Sequence, residues 1–157
     1  MGSGEIIAGY RLERHPEGGW FREIHRSPRS LGRIPGFPGK RAAFTAIYFL
    51  LARGEFSAFH RLRSEEMWTY LAGDPLELVV LGREVQRITL GPPTGEGEPV
   101  FLVPAGELQA ARTLGEYTLA TCFVAPGFEF DDLSMPARKD LLREYPDRKD
   151  LILSFTR

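Results

Sequence analysis

The sequence predicts an all-β domain, a barrel or a sandwich, on three observations. Short apolar or alternating segments follow one another from residue 20 to residue 127, separated by Gly/Pro turns. A helical stripe stands out only late, at Ala137, Leu141, Leu142 and Tyr145. The length, 157 residues, fits one domain, and a domain of this size buries roughly 68–70% of its unfolded surface.

Residues 5–12 read as a short helix weakened by Gly9, and HPEGG at 15–19 as a turn. WFREIHRS at 20–27 alternates as a strand does. Three prolines and three glycines make 28–41 a loop, read as disordered or lid-like. The stretch 42–52 is apolar on both faces and reads as a central strand covered on both sides. SAFHRL (57–62) and EMWTYLA (66–72) are strands joined by a tight polar turn. PLELVVLG, VQRITLG, VFLVPAG, LQAAR and EYTLATCFVAPG continue the series, and FEFDDL (128–133) is read as one more strand. Residues 136–145 form a helix started by Pro136 and stopped by Pro146. The closing LILSFTR is read as a strand or turn.

Net charge is −1, and no basic stripe offers a footprint for nucleic acid. The longest apolar run, Ala42–Ala52, is interrupted by Thr45 and is too short to span a bilayer. Cys122 is the only cysteine and lies in an apolar run, so it reads as a small buried hydrophobe rather than half of a disulfide. The first residues show no charged-then-apolar leader, and Ile6 breaks the acylation pattern after Met1-Gly2. A cytoplasmic protein is expected.

The candidate chemistry lies between Gly54 and Gly73. Strand alternation puts Ala58, His60 and Leu62 on one face and Ser57, Phe59 and Arg61 on the other. Glu66, Trp68 and Tyr70 share a face of the next strand. If both sets look inward, an imidazole, a carboxylate, an indole and a phenol converge among apolar walls, as in a small-molecule site. The plainer alternative is a hydrogen-bonded core His60 and a solvated Glu66.

The spacing G-x5-H-x-L-x3-E-x6-G, carried by Gly54, His60, Leu62, Glu66 and Gly73, resembles the first motif of the cupin superfamily, with Leu62 where a second metal-ligand histidine stands. Pro104-Ala105-Gly106 echoes the second motif, with Gln109 at its histidine position and Thr113 at its asparagine. HPEGGWFREIHRS (15–27), residues 45–78, VPAGELQAA (103–111) and VAPGFEFDDL (124–133) together resemble the Cupin 5 subfamily, formerly a domain of unknown function. Thr69 departs from the Trp-His often found there; alternation turns it away from Glu66. The resemblance implies a double-stranded β-helix (a jelly-roll barrel) with short terminal helices, a homodimer, and a cavity for a small ligand. Its HPEGG-x-[FY]-[RK]-E pattern implies that Arg22 and Glu23 lie near the cavity mouth. Alternation groups Phe21, Glu23 and His25 against Trp20, Arg22 and Ile24, and Glu23 and His25 are taken as inward.

The four superfamily ligand positions read His60, Leu62, Glu66 and Gln109. These are too few donors for a zinc or non-haem iron site, so no cofactor is favoured and a divalent metal is the disfavoured alternative. His15 or His25 would complete a triad, but nothing in the sequence brings them there. Metal-free sugar-nucleotide epimerases of this fold use a histidine base and a tyrosine acid. By that analogy His60, oriented by Glu66, would take a proton α to a carbonyl, and Tyr70 or Tyr48 would return one. Gln109, Trp68, Tyr48, Glu23 and His25 would hold the ligand. Two rival readings use the same cavity: a barrel that binds or senses a ligand without changing it, and a metal-dependent dioxygenase or isomerase.

Overall fold

The computed structural model describes residues 2–95 and 97–157. The chain begins with helix α1 (Ser3–Tyr10), in which the Glu5 carboxylate accepts the Gly2 N–H at 2.8 Å. Twelve strands follow among the described residues: β1 (Glu13–Arg14), β2 (Trp20–Arg26), β3 (Ser30–Arg33), β4 (Lys40–Ala42), β5 (Thr45–Ala52), β6 (Phe56–His60), β7 (Glu65–Gly73), β8 (Leu76–Leu81), β9 (Val85–Leu90), β10 (Val100–Val103), β11 (Leu108–Thr113) and β12 (Tyr117–Ala125). Helices α2 (Arg138–Glu144) and α3 (Lys149–Ser154) end the chain.

The strands form two facing antiparallel sheets in the orders β1-β2-β5-β12-β7-β10 and β6-β11-β8-β9. From β5 to β12 the chain passes back and forth between them, which is the expected jelly-roll barrel. Alternation along each strand gives three apolar layers. Phe49, Leu51, Trp68, Leu76, Leu78, Val80 and Cys122 fill the space between the sheets. Phe59, Val79, Leu81, Leu108 and Ala110 face outward and are covered by Leu141, Ile152 and Phe155 of the C-terminal segment. On the opposite side Leu50 and Leu119 are covered by Ile6 and Leu12. Strand β5 is therefore covered on both faces, as its unbroken apolar run predicts. Gly73 closes β7 at φ +91°, and a side-chain carbon there would overlap the carbonyl oxygen of Tyr117.

Three local expectations are corrected. The segment 28–41 contains the hairpin β3–β4, and its base is held by a buried Arg41–Asp132 ion pair at 2.7 Å. FEFDDL does not extend as a strand. The Asp132 carboxylate accepts the Glu129 N–H at 3.1 Å and closes a single 3-10 turn over Phe130–Asp132. LILSFTR contributes to α3, because Leu151, Ile152 and Phe155 form one helical stripe against β6 and β11. Among the described residues no helix is long and apolar enough to cross a membrane.

Candidate functional site

A cavity of about 60 Å³ opens at one end of the space between the sheets, room for a few waters or a small organic group. Its apolar wall includes Phe21, Ile47, Phe49, Leu62, Phe128 and Phe130, and its polar wall His15, Glu17, Glu23, Arg26, Glu66 and Glu129.

Glu17 is the residue that sequence reasoning missed. It belongs to the HPEGG turn, which packs its backbone directly onto the edge of β6: Ala58 N–H donates to Glu17 O at 2.8 Å. Gly18 (φ +112°) and Gly19 (φ +75°) make that approach feasible. A side-chain carbon at Gly18 would overlap Phe56 O, and one at Gly19 would lie 2.8 Å from Leu50 O. The signal was on the page as an acidic residue followed by two glycines in a turn, but its depth depends on a strand 40 residues away.

A bulge in β6 completes the setting. Gln109 pairs with His60 but Ala111 pairs with Ser57, so two β6 residues stand opposite Ala110. Strict alternation therefore fails, and Ser57 joins His60 on the inner side. Ser57 Oγ donates to Glu17 Oε1 at 3.0 Å, and His60 Nε2 lies 3.2 Å from Glu17 Oε2. His60 Nδ1 is 2.7 Å from Ala58 O. A carbonyl only accepts, so Nδ1 carries the hydrogen and Nε2 of the neutral ring is the acceptor. His15 Nδ1 accepts Glu17 N–H at 3.3 Å and lies 3.5 Å from Glu17 Oε2. A proton on Oε2 thus meets the lone pair of His60 Nε2, while the lone pair of His15 Nδ1 is taken by the Glu17 N–H.

The electrostatics agree. Burial pushes Glu17 up to about 8, with the Ser57 hydrogen bond opposing. Burial lowers His15 to about 3, with nearby His60 acting the same way. Burial also lowers His60, against the attraction of Glu66. The pair is best described as a neutral carboxyl and a neutral imidazole sharing one proton.

The second carboxyl, Glu66, is held from β11. Trp68 Nε1 donates to Gln109 Oε1 at 2.9 Å, and Gln109 Nε2 donates to Glu66 Oε2 at 2.6 Å. An indole can only donate, so it fixes which way the amide points. Burial raises Glu66 to about 7, Glu17 adding to the rise while His60, Gln109 and Trp68 oppose it.

The remaining candidates separate. His60, Trp68 and Gln109 stand behind Glu17 and Glu66 rather than on the cavity wall. Glu23 lines the cavity, but His25 does not. A bulge after Glu23 puts Glu23 opposite Ile47 and His25 opposite Ala46, which turns His25 out against Phe44 and brings Arg26 in. Arg22 also faces outward, over the ring of Tyr48. Tyr48 lies outside the barrel against Tyr10 of α1, because inward Ile47 and Phe49 leave it the outer parity. Tyr70 packs at the far end of the interior and donates to Gly73 O at 2.6 Å. Neither tyrosine lines the cavity.

At the four superfamily ligand positions the donor atoms are engaged elsewhere or missing. His60 has both ring nitrogens engaged, Leu62 has no donor atom, and Gln109 commits both amide atoms to Trp68 and Glu66. Among the described residues no group of three or more His, Cys, Asp or Glu side chains is placed to hold an ion.

The Cupin 5 family, described as Cupin superfamily (DUF985), matches residues 4–136. The chain belongs to this cupin family. This cupin is 34% identical to protein SO0799 from Shewanella oneidensis, with a TM-score of 0.91 over 100% of this chain and 98% of that one. It is 28% identical to a hypothetical protein from Leishmania major, with a TM-score of 0.92 over 99% of each chain. Oxalate decarboxylase from Bacillus subtilis, 14% identical with a TM-score of 0.55 over 90% of this cupin and 36% of that chain, shares the fold alone. No curated protein matches the sequence.

Proposed function

We propose that this cupin binds a small carbonyl-bearing or sugar-like metabolite between Glu17 and Glu66 and moves its protons without a metal, as an epimerase or isomerase does. The observation that carries this reading is the pair of buried carboxyls lining one cavity, each raised into the neutral range by burial. Burial raises Glu17 more than Glu66, so Glu66 is assigned as the base and Glu17 as the acid. Glu66 removes the proton α to the carbonyl while Glu17 gives its Oε2 proton to the carbonyl oxygen, producing an enediol. Glu66 then returns its proton to the former carbonyl carbon while the other enediol hydroxyl gives its proton to Glu17, which moves the carbonyl by one carbon and restores both groups. His60 acts through Glu17 and is a positioning residue.

The surrounding proposals are a cytoplasmic homodimer with no nucleic-acid or membrane partner. Met67, Leu71, Val100 and Leu102 are exposed along the outer side of β7 and β10 and supply an apolar surface for a second copy.

The test is solvent deuterium incorporation at the α-carbon of hydroxyacetone and dihydroxyacetone, followed by proton NMR in D2O. Exchange is expected to rise through about pH 7 and fall above about pH 8, as macroscopic values of the coupled pair. Glu66→Gln should slow it by about 100-fold or more, and His60→Asn should chiefly move the alkaline limb. Exchange unaffected by Glu66→Gln would end the proton-transfer reading, and binding without exchange would leave a ligand-holding barrel.

A further inference from the structure

The cavity wall is unbalanced in charge. Glu17, Glu23, Glu66 and Glu129 line it against a single guanidinium, Arg26. Arg26 is already engaged: Nε and Nη2 donate to the Glu23 carboxylate at 3.1 and 2.8 Å, Nη1 donates to Glu129 at 3.0 Å, and Nη2 also reaches Phe128 O at 3.0 Å. The mouth therefore carries a surplus negative charge, and no cation from the described residues lines the interior.

The interior carboxyl has only uncharged donors. Glu66 is 6% exposed, accepts the Gln109 amide on Oε2 and also faces the Cys122 thiol, so none of its donors among the described residues neutralises its charge. Aromatic rings set at steep angles line the same cavity. Phe128 and Phe130 meet at 77° with centroids 5.1 Å apart, Phe21 and Phe130 at 80° and 6.3 Å, and His15 and Phe21 at 81° and 4.7 Å. Ring faces carry negative charge density, and several non-parallel faces beside a carboxylate are the environment an alkylammonium group favours over water. An anionic substrate would meet four carboxyls and a guanidinium already paired. A neutral alcohol would gain only the hydrogen bond.

We propose that the substrate taken by this cavity carries an organic ammonium group, seated against Phe21, Phe128 and Phe130 with Glu66 as its counter-ion. The inference rests on the cavity-binding reading above and narrows its ligand to amino-bearing carbonyl compounds. Ammonium binding favours the ionised form of the carboxyls it faces. Glu66 is flanked by Gln109, Trp68, Cys122, His60 and Glu17, and Glu17 by Ser57, His15 and His60; none of these supplies a fixed positive charge. The ligand would therefore displace a proton from Glu66, its counter-ion, near neutral pH.

The experiment compares propylammonium, propan-1-ol and propanoate, three probes of one size and different charge. Titration calorimetry at pH 7.5 gives affinity, and the Trp68 indole resonance reports binding at the site. Propylammonium is expected to bind about tenfold tighter than propan-1-ol, with propanoate weakest. Following the pH of an unbuffered solution during the titration should reveal net proton release. Phe130→Leu, at a half-exposed ring, keeps apolar area while removing the ring face, and should reduce the preference for ammonium over alcohol about threefold or more. Equal or tighter binding of propan-1-ol or propanoate, or no binding of propylammonium, overturns the inference. Deuterium exchange on the neutral ketones is decided separately: exchange without ammonium preference sinks this proposal and leaves the proton-transfer reading standing.

Discussion

The two ends of the barrel interior are built by the same strands and have opposite characters. Along β7 the inward side chains run Glu66, Trp68, Tyr70; along β5 they run Ile47, Phe49, Leu51. At one end Glu17, Glu66 and His15 surround open space. At the other, Leu51, Leu76, Leu78 and Leu90 fill it completely, each at most 1% exposed. The filled end lowers the free energy of folding by removing apolar surface from water. The open end raises it, because ionisable groups are buried with few partners. A chain selected for stability alone would fill both ends with leucine. The two carboxyls and two imidazoles buried at one end are the observation behind the site proposed above.

The largest break in this contrast is expected from the filled end. Leu78→Ala removes a fully buried side chain from the inner layer and should cost about 2–5 kcal/mol of stability by urea unfolding. Ligand binding below the transition should change little. An outcome in which Leu78→Ala abolishes binding in the folded protein would mean that the two ends are not mechanically separate.

The next effect belongs to the open end and has the opposite sign. Glu17 lies at about 8 in the folded chain against 4.5 in the unfolded one, so the native state holds the proton more tightly. Its contribution is full below about pH 4.5 and is lost as pH rises through about 8; Glu66 behaves the same way through about 7. His15 and His60, both lowered, oppose this only below pH 6.5. The melting temperature should therefore fall between pH 6.5 and 9, by about 5 °C or more. Glu17→Gln, whose amide can still donate to His60 and accept from Ser57, should flatten most of that decline in calorimetric scans across pH. A variant that declines as steeply as the parent would show that Glu17 is already ionised at neutral pH.

The legibility of the two ends differs for a physical reason. The filled end follows from alternation alone: LELVVL at 76–81 already divides into an inner Leu76, Leu78, Val80 and an outer Val79, Leu81. The open end depends on places where alternation breaks. The bulge in β2 exchanges Arg26 for His25, and the bulge in β6 brings Ser57 beside His60. An extra residue in a strand leaves no mark in hydrophobic periodicity, since the run stays apolar on either side. Glu17 was hidden more deeply, because its burial is set by a backbone contact between a turn and a distant strand. The motif spacing leads to residues placed around the cavity: Gln109 donates to Glu66, and His60 stands against Glu17. It could not show that His60 stands behind another acid.

The smallest expected effect tests where the boundary between the ends lies. Tyr70 shares the inward parity of Glu66, yet its hydroxyl donates to Gly73 O and closes the end of its own strand. Tyr70→Phe removes that one hydrogen bond at a half-buried site and should cost about 0.5–1.5 kcal/mol of stability. Deuterium exchange into bound ketone should stay within about twofold of the parent, against the loss of about 100-fold expected at Glu66. Position along a strand decides here, not residue type: a phenol two turns of the pleat beyond the carboxyl has no path to the open space while Trp68 fills the section between them. If Tyr70→Phe stopped exchange while leaving the fold intact, the phenol would have to reach the substrate past that indole, and the division of the barrel into a filled and an open end would be wrong.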